Sequence, residues 1–329
     1  MIINLQPYLF FDKLIDVPRL TAKIIKSWLE DGVVDLRTKE GQSFEELGLY
    51  ELLDSICDEF NIPKDVVSLT NDNWNEKHDQ YDIQQSPFNF PLTWFNRENK
   101  SLVGYEGNKF YGLFIGRLNE PRIKALIQSR RRAIPSLASC NGDFLPYLEN
   151  IKHKLIATSY CTVQEFHDSV KKHSDIGLVM KPPITPPHNS YGSHWAEVYK
   201  SIAIEIVLET TDWPGSFHLT EKTLRPIYYK RPFIIVGSRG FMQKLRDIGF
   251  KTFDGIIDNH YENFEYCVEH AFKSLDLTYA NNQYGHNPKK LLEHCKDDLD
   301  HNYNLLLDMA RTHHRKFLAV DGLDYHGRE

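Results

Sequence analysis

Apolar residues in this chain come in short runs, and their spacing switches between every second position and every third or fourth. Ile2 to Phe11 reads as a strand whose alternation Pro7 weakens. Asp16 and Pro18 then open a helix with an apolar stripe of Leu20, Ile24, Ile25 and Trp28, closed by Gly32. Val33 to Leu36 is a second strand. Residues 44–60 form a second helix with Leu49, Leu52, Leu53, Ile56 and Phe60 inward. Val66 to Thr70 makes a third strand that runs into Asn71-Asp72-Asn73. The pattern predicts a small doubly wound α/β unit with Asp72 at a strand's carboxyl end, where such sheets collect ligands. A simple turn, favoured by Asn and Asp, explains the same three residues.

Periodicity fades from Trp74 to Asn108, a polar and aromatic stretch holding Pro87, Pro91, Trp94 and Phe95. So long an unpatterned segment fits an interdomain or acceptor-facing loop. Trp94 suits stacking on a sugar or base, and it suits core filling equally well in chemistry and more often in practice. Lys109 to Gly116 is a strong strand, followed by Arg117 and by a helix from Pro121 through Ile127 that carries Arg122. An arginine fork at a helix N-terminus matches a diphosphate. Arg130-Arg131-Arg132 lies further along that helix and reads as a solvated face or as a polyanion patch. Lys154–Thr158 and Ile176–Val179 are expected strands, with a helix over 163–170 between them. Pro182 to Asn189 excludes regular structure. Ile202 to Leu208 is an apolar strand interrupted by one Glu, and Glu209 ends it.

The densest signals lie between Phe217 and Tyr261. Thr220-Glu221-Lys222-Thr223 opens a helix whose cap is Thr223 or Thr220; in the second case Pro226 falls inside the helix and should kink it. Phe233 to Val236 is a buried strand, Gly237-Ser238-Arg239-Gly240 turns, and Phe241, Leu245 and Ile248 mark a helix stopped at Gly249. Phe250 to Phe253 reads as one more short strand. Strands alternating with helices at this spacing predict a parallel sheet. Glu221 and Lys222 then stand at the positive mouth of a helix that follows a strand, a place suited to ribose hydroxyls and phosphate. A capping carboxylate beside a solvated lysine has the same spacing. Further on, Leu292, Cys295, Leu299, Tyr303, Leu306 and Ala310 step by three and four along an amphipathic helix. Its histidines, His294, His301, His313 and His314, occupy polar positions and read as surface residues.

Composition narrows the class. The 329 residues allow two domains, and 41% apolar content is that of a globular chain. No run approaches the ~20 apolar residues of a membrane helix, and no charged segment followed by an apolar core opens the chain, so neither a membrane span nor a signal peptide is expected. Five scattered cysteines without CxxC spacing fit reduced thiols in a cytoplasm and give no zinc site. A net charge of −6 argues against non-specific nucleic-acid affinity while leaving local basic patches open.

The ordered set L-T-E-K-T-L-R-P-I, P-F-I-I-V-G, L-R-D-I-G-F-K-T-F and I-I-D-N-H-Y-E resembles a motif block of GT-B glycosyltransferases. It is similar to the T-E-K segment of fucosyltransferase-like enzymes and closer to glycosyltransferase-like proteins of tailed bacteriophages. The tight likeness covers about 45 residues, and a weaker one reaches upstream to about residue 105. The resemblance implies two Rossmann-like domains facing a cleft, residues 1–105 on the acceptor side and 106–285 on the donor side. Residues 286–329 would form a C-terminal helix that bridges back. It implies a nucleotide-sugar donor, UDP-linked by expectation, held by Glu221 and Lys222 with no metal and no separate cofactor; Arg117, Arg122, Glu209 and Thr220, expected at the same carboxyl edge, are the further donor-binding candidates. The sequence agrees in having no Asp-x-Asp in a loop after a strand of the second domain. The base would come from the first domain, with Asp12 and Asp72 as candidates. Relatives of this kind include enzymes that glycosylate hydroxymethylcytosine in phage DNA, which makes arabinose or glucose the candidate sugar, double-stranded DNA the candidate acceptor, and Trp94 and Arg131 its candidate contacts. A surface polysaccharide or protein acceptor, or a non-catalytic nucleotide-binding protein, are the alternatives.

Overall fold

The computed structural model describes residues 2–5, 15–37, 44–45, 47–71, 78–85, 104–115, 118–140, 148–171, 173–174, 193–209, 217, 219–257, 268–281 and 283–321. Two compact units form, Met1–Asn89 with Thr211–Leu219 and Phe90–Thr210 with Thr220–Glu329. Both are α/β, built on sheets of parallel strands. Among the described residues no helix is long and apolar enough to cross a membrane.

The first unit holds β1 (Ile2–Asn4), α1 (Val17–Asp31), β2 (Val34–Arg37), α2 (Leu49–Phe60), β3 (Val67–Asn71) and β4 (Asp82–Gln85). Helix α1 starts where the sequence dictates: the Asp16 carboxylate accepts the Arg19 N–H at 3.3 Å. It stops at Gly32, whose φ of +67° lets its N–H close back on Trp28. Leu20, Ile24, Leu49, Leu53 and Ile56 bury against Ile3, Val34, Leu36, Val67 and Leu69 of the sheet. Phe60, expected inward, is 39% exposed, because it lies on the last turn of α2. The strands are all parallel in the order β1-β2-β3-β4. Among the described residues that order does not reverse, so the four strands show a single winding where a double one was expected, with α1 and α2 packed on each other. Strand β4 escaped the pattern because Asp-Ile-Gln-Gln carries one apolar residue.

In the second unit the chain runs through β5 (Lys109–Ile115), α3 (Glu120–Arg130), β6 (Ser136–Cys140), α4 (Leu148–Ala157), α5 (Val163–Val170), β7 (His173–Ser174) and α6 (Ser193–Ser201). It continues through β8 (Ile202–Leu208), α7 (Glu221–Tyr228), β9 (Phe233–Val236), α8 (Phe241–Asp247), α9 (Val268–Ala280), α10 (Pro288–His294) and α11 (Lys296–Asp321). The sheet order is β7-β6-β5-β8-β9, parallel except for the β7 edge. Here the winding does reverse: β6 lies on one side of β5, β8 and β9 on the other. Alternate side chains of β5 reach opposite faces, Tyr111 toward Ser129 of α3 and Phe272 of α9, Phe114 toward Trp195 of α6. Helices cover both faces, which is the doubly wound, Rossmann-like arrangement. Every residue of β8 and β9 is buried, as central parallel strands require.

Two expectations fail in this unit for physical reasons. Residues 154–158 belong to helix α4 and its C-terminal turn, with Leu148 and Leu155 inward, so a short apolar run was read with the wrong period. Residues 250–253 form no strand: the Asn302 carboxamide of α11 accepts the Lys251 N–H at 2.7 Å and donates to its carbonyl at 2.8 Å. One side chain thus supplies the partners a neighbouring strand would have given. Strand β6 and helices α6 and α9 went unread. By contrast α8 ends as expected, in a Schellman motif: Gly249, at φ +102°, donates to Arg246 and Phe250 donates to Leu245. The C-terminal stripe is shifted, with Leu291 and Asn302 buried beside Cys295, Leu299, Leu306 and Ala310, and with His294 and His301 exposed. Through Tyr303 and Asp300, α11 packs on the C-terminal end of α7, within this unit.

Candidate functional site

The winding reverses between β5 and β8, so the crevice beyond their carboxyl ends is where a doubly wound sheet binds its ligand. Helix α7 starts at that edge. Thr220 is its N-cap, in extended backbone, and its hydroxyl accepts the Lys222 N–H at 3.2 Å. The cap choice left open by the sequence therefore falls on Thr220, and Pro226 lies inside the helix.

Glu209, one residue past β8 and 4% exposed, fastens this helix mouth to the sheet. Its carboxylate accepts the Thr220 hydroxyl at 2.6 Å and the Thr223 hydroxyl at 2.5 Å. Glu221 and Lys222 sit between those two anchored threonines and pair with each other at 2.7 Å. Both stay part-exposed, at 29% and 24% of their side-chain surface. Burial pushes the Glu221 carboxyl upward, but the Lys222 ammonium outweighs it and leaves the group below its ordinary range. The rim thus offers a fixed carboxylate, an ammonium and the positive end of a helix dipole.

A second anchor lies four residues back on β8. Glu205, 1% exposed, receives hydrogen bonds from Arg225 of α7 and from the Tyr199 hydroxyl of α6. Arg225 also donates to Tyr199 at 2.9 Å, and its guanidinium lies 4.1 Å from the centre of the Trp195 ring. Burial alone would drive the Arg225 proton off; the Glu205 charge holds it on, above the ordinary arginine range. Burial raises Glu205 and Tyr199. Arg231, 3% exposed, donates to the carbonyls of Tyr199 and Ile202, tying the approach of β9 to the α6–β8 junction; burial brings its pKa down to about 10.

Of the residues expected to form a site, the structure brings together Glu209, Thr220, Glu221 and Lys222. Arg122 is in the first turn of α3 and is 6% exposed. Arg131 caps α3, and its guanidinium donates to Glu165 at 2.9 Å and to the Tyr160 carbonyl at 2.7 Å. Arg132 forks onto Asp276 at 2.8 and 2.9 Å. Two of the three consecutive arginines thus fasten α3 to its neighbours. Asp12, Asp72, Trp94 and Arg117 lie outside the described residues, as does the Pro182–Asn189 stretch. The Glu205–Arg225–Tyr199 network was missed, although a Glu within an otherwise apolar buried strand demands a cation nearby.

The first unit carries a cavity of about 400 Å³ lined by Glu45, Tyr50, Glu51, Asp54, His78 and Asp79. One wall is the His78 ring stacked on Tyr50 at 4.1 Å. Its chemistry is acidic, and it suits hydroxyl or ammonium groups better than phosphate. Neither the family models nor the curated proteins searched match this chain.

Proposed function

We propose that the second unit binds a nucleotide-sugar donor at the mouth of α7 and that the protein is a GT-B-type glycosyltransferase. The observation that carries this reading is the clamp of Glu209 on Thr220 and Thr223, which holds Glu221 and Lys222 at the crevice where the winding of the sheet reverses. Thr220, Glu221, Lys222 and Thr223 also carry the resemblance to the donor motif. In this reading the Glu221 carboxylate accepts from ribose hydroxyls, while Lys222 and the helix dipole meet the diphosphate. During transfer the bond from the anomeric carbon to the diphosphate oxygen breaks and a bond to the acceptor oxygen forms. The acceptor proton passes to a base, and the leaving diphosphate gains the charge that the cation and the dipole neutralise.

Charge placement bears on the acceptor. Hydroxymethylated DNA needs a basic face, and Arg131 and Arg132 are committed to carboxylates of their own chain. The acid-lined cavity of the first unit favours a saccharide or protein hydroxyl over DNA. The decisive assay follows release of nucleoside diphosphate from a panel of nucleotide sugars, with and without acceptors. Turnover of one donor supports transfer. Tight nucleotide binding without turnover on any acceptor would leave a binding protein.

A further inference from the structure

If a diphosphate lies at this crevice, one ammonium already paired with a carboxylate is a poor match for its charge. Lys222 is bonded to Glu221. The turn after β9 holds another cation. Leu208 and Val236 are register partners at the ends of β8 and β9, and the Glu209 N–H donates to the Val236 carbonyl at 3.0 Å. Arg239 is three residues beyond Val236, so its Cα stays within about 11 Å of that strand end. It is exposed, whereas Ser238 before it is buried. Gly240, at φ +82°, turns the chain into α8 immediately after it. Among the described residues no carboxylate pairs with its guanidinium.

We infer that Arg239 is a diphosphate-binding residue of the donor site, contributed by the turn after β9 to complement Lys222. The inference rests on the donor reading above and adds a guanidinium to it. A guanidinium offers two parallel N–H groups to adjacent phosphate oxygens, which an ammonium cannot. A solvated arginine at this place would leave no mark on binding, so the two roles separate by experiment.

The test is calorimetric titration of the full chain, and of Arg239→Gln and Arg239→Lys, with uridine, UMP and UDP, then with ADP, GDP and CDP if UDP fails. The expected result is a loss of about tenfold to a hundredfold in diphosphate affinity for Arg239→Gln. Nucleoside affinity should be unchanged, Arg239→Lys should be intermediate, and thermal unfolding should be unmoved because the side chain is exposed. Wild-type-like diphosphate binding by Arg239→Gln would overturn the inference and leave the donor reading standing. Failure of the wild type to bind any nucleoside diphosphate would overturn both.

Discussion

Lys222 and Glu221 are each other's partner, so substituting one changes the other. Lys222→Ala removes a cation and also bares a carboxylate beside the phosphates, and should weaken nucleoside diphosphate binding by roughly 1.5–3 kcal/mol. The double variant with Glu221→Ala should lose less than the sum of the two single losses, since residues in contact couple. Titration of the four proteins checks this, and strict additivity would argue that the pair does not act together. Glu221, Lys222, Thr220 and Glu209 could be read from the sequence because a helix mouth after a strand is a local pattern. Arg131 could not be read because the sequence gives a position on a helix but not the carboxylate and carbonyl that take up the guanidinium.

Helix α7 is held to β8 by two buried carboxylates, Glu205 and Glu209, where a βαβ crossover ordinarily uses apolar packing alone. Breaking the inner anchor by Arg225→Met strands Glu205 and should cost about 3–5 kcal/mol. Replacing the set together, as Glu205→Leu with Arg225→Met and Tyr199→Phe, should recover most of that loss in chemical denaturation. A triple variant as unstable as Arg225→Met would show that shape, and not charge, holds the helix. The Arg131–Glu165 tether between α3 and α5 has a pH signature. Arg131, together with the Thr162 N–H of the helix cap, depresses the Glu165 carboxyl from 4.5 to about 2. A carboxyl lowered on folding stabilises fully above its unfolded value, and the benefit fades as pH falls through the folded one. Glu165→Gln should therefore be less stable than wild type at neutral pH and equal to it near pH 2, with a gap that shrinks in high salt because the pair is exposed. A constant gap across pH would refute the tether. Long apolar runs such as β8 could be read directly; β4 was too polar, and the backbone of residues 250–253 is completed by a side chain fifty residues away.

At the scale of the whole chain, two α/β units are present, and among the described residues only the second reverses its winding. The proposed donor crevice lies in that second unit, and the acid-lined cavity lies in the first. If protein cations and a helix dipole carry the diphosphate charge, transfer should persist in excess EDTA; complete loss restored by manganese would contradict that. Saccharide acceptors should be labelled in preference to hydroxymethylated duplex DNA, and labelling of the duplex alone, falling steeply with salt, would reverse the acceptor assignment. The central claim is the location of the donor, and a crystal structure with the nucleotide sugar selected by the turnover panel tests it most directly. The account predicts the diphosphate at the start of α7, beyond the carboxyl ends of β5 and β8, with Lys222 on a phosphate oxygen and Glu221 on the ribose. A nucleotide bound elsewhere on the chain, with the mouth of α7 left to solvent, would contradict it.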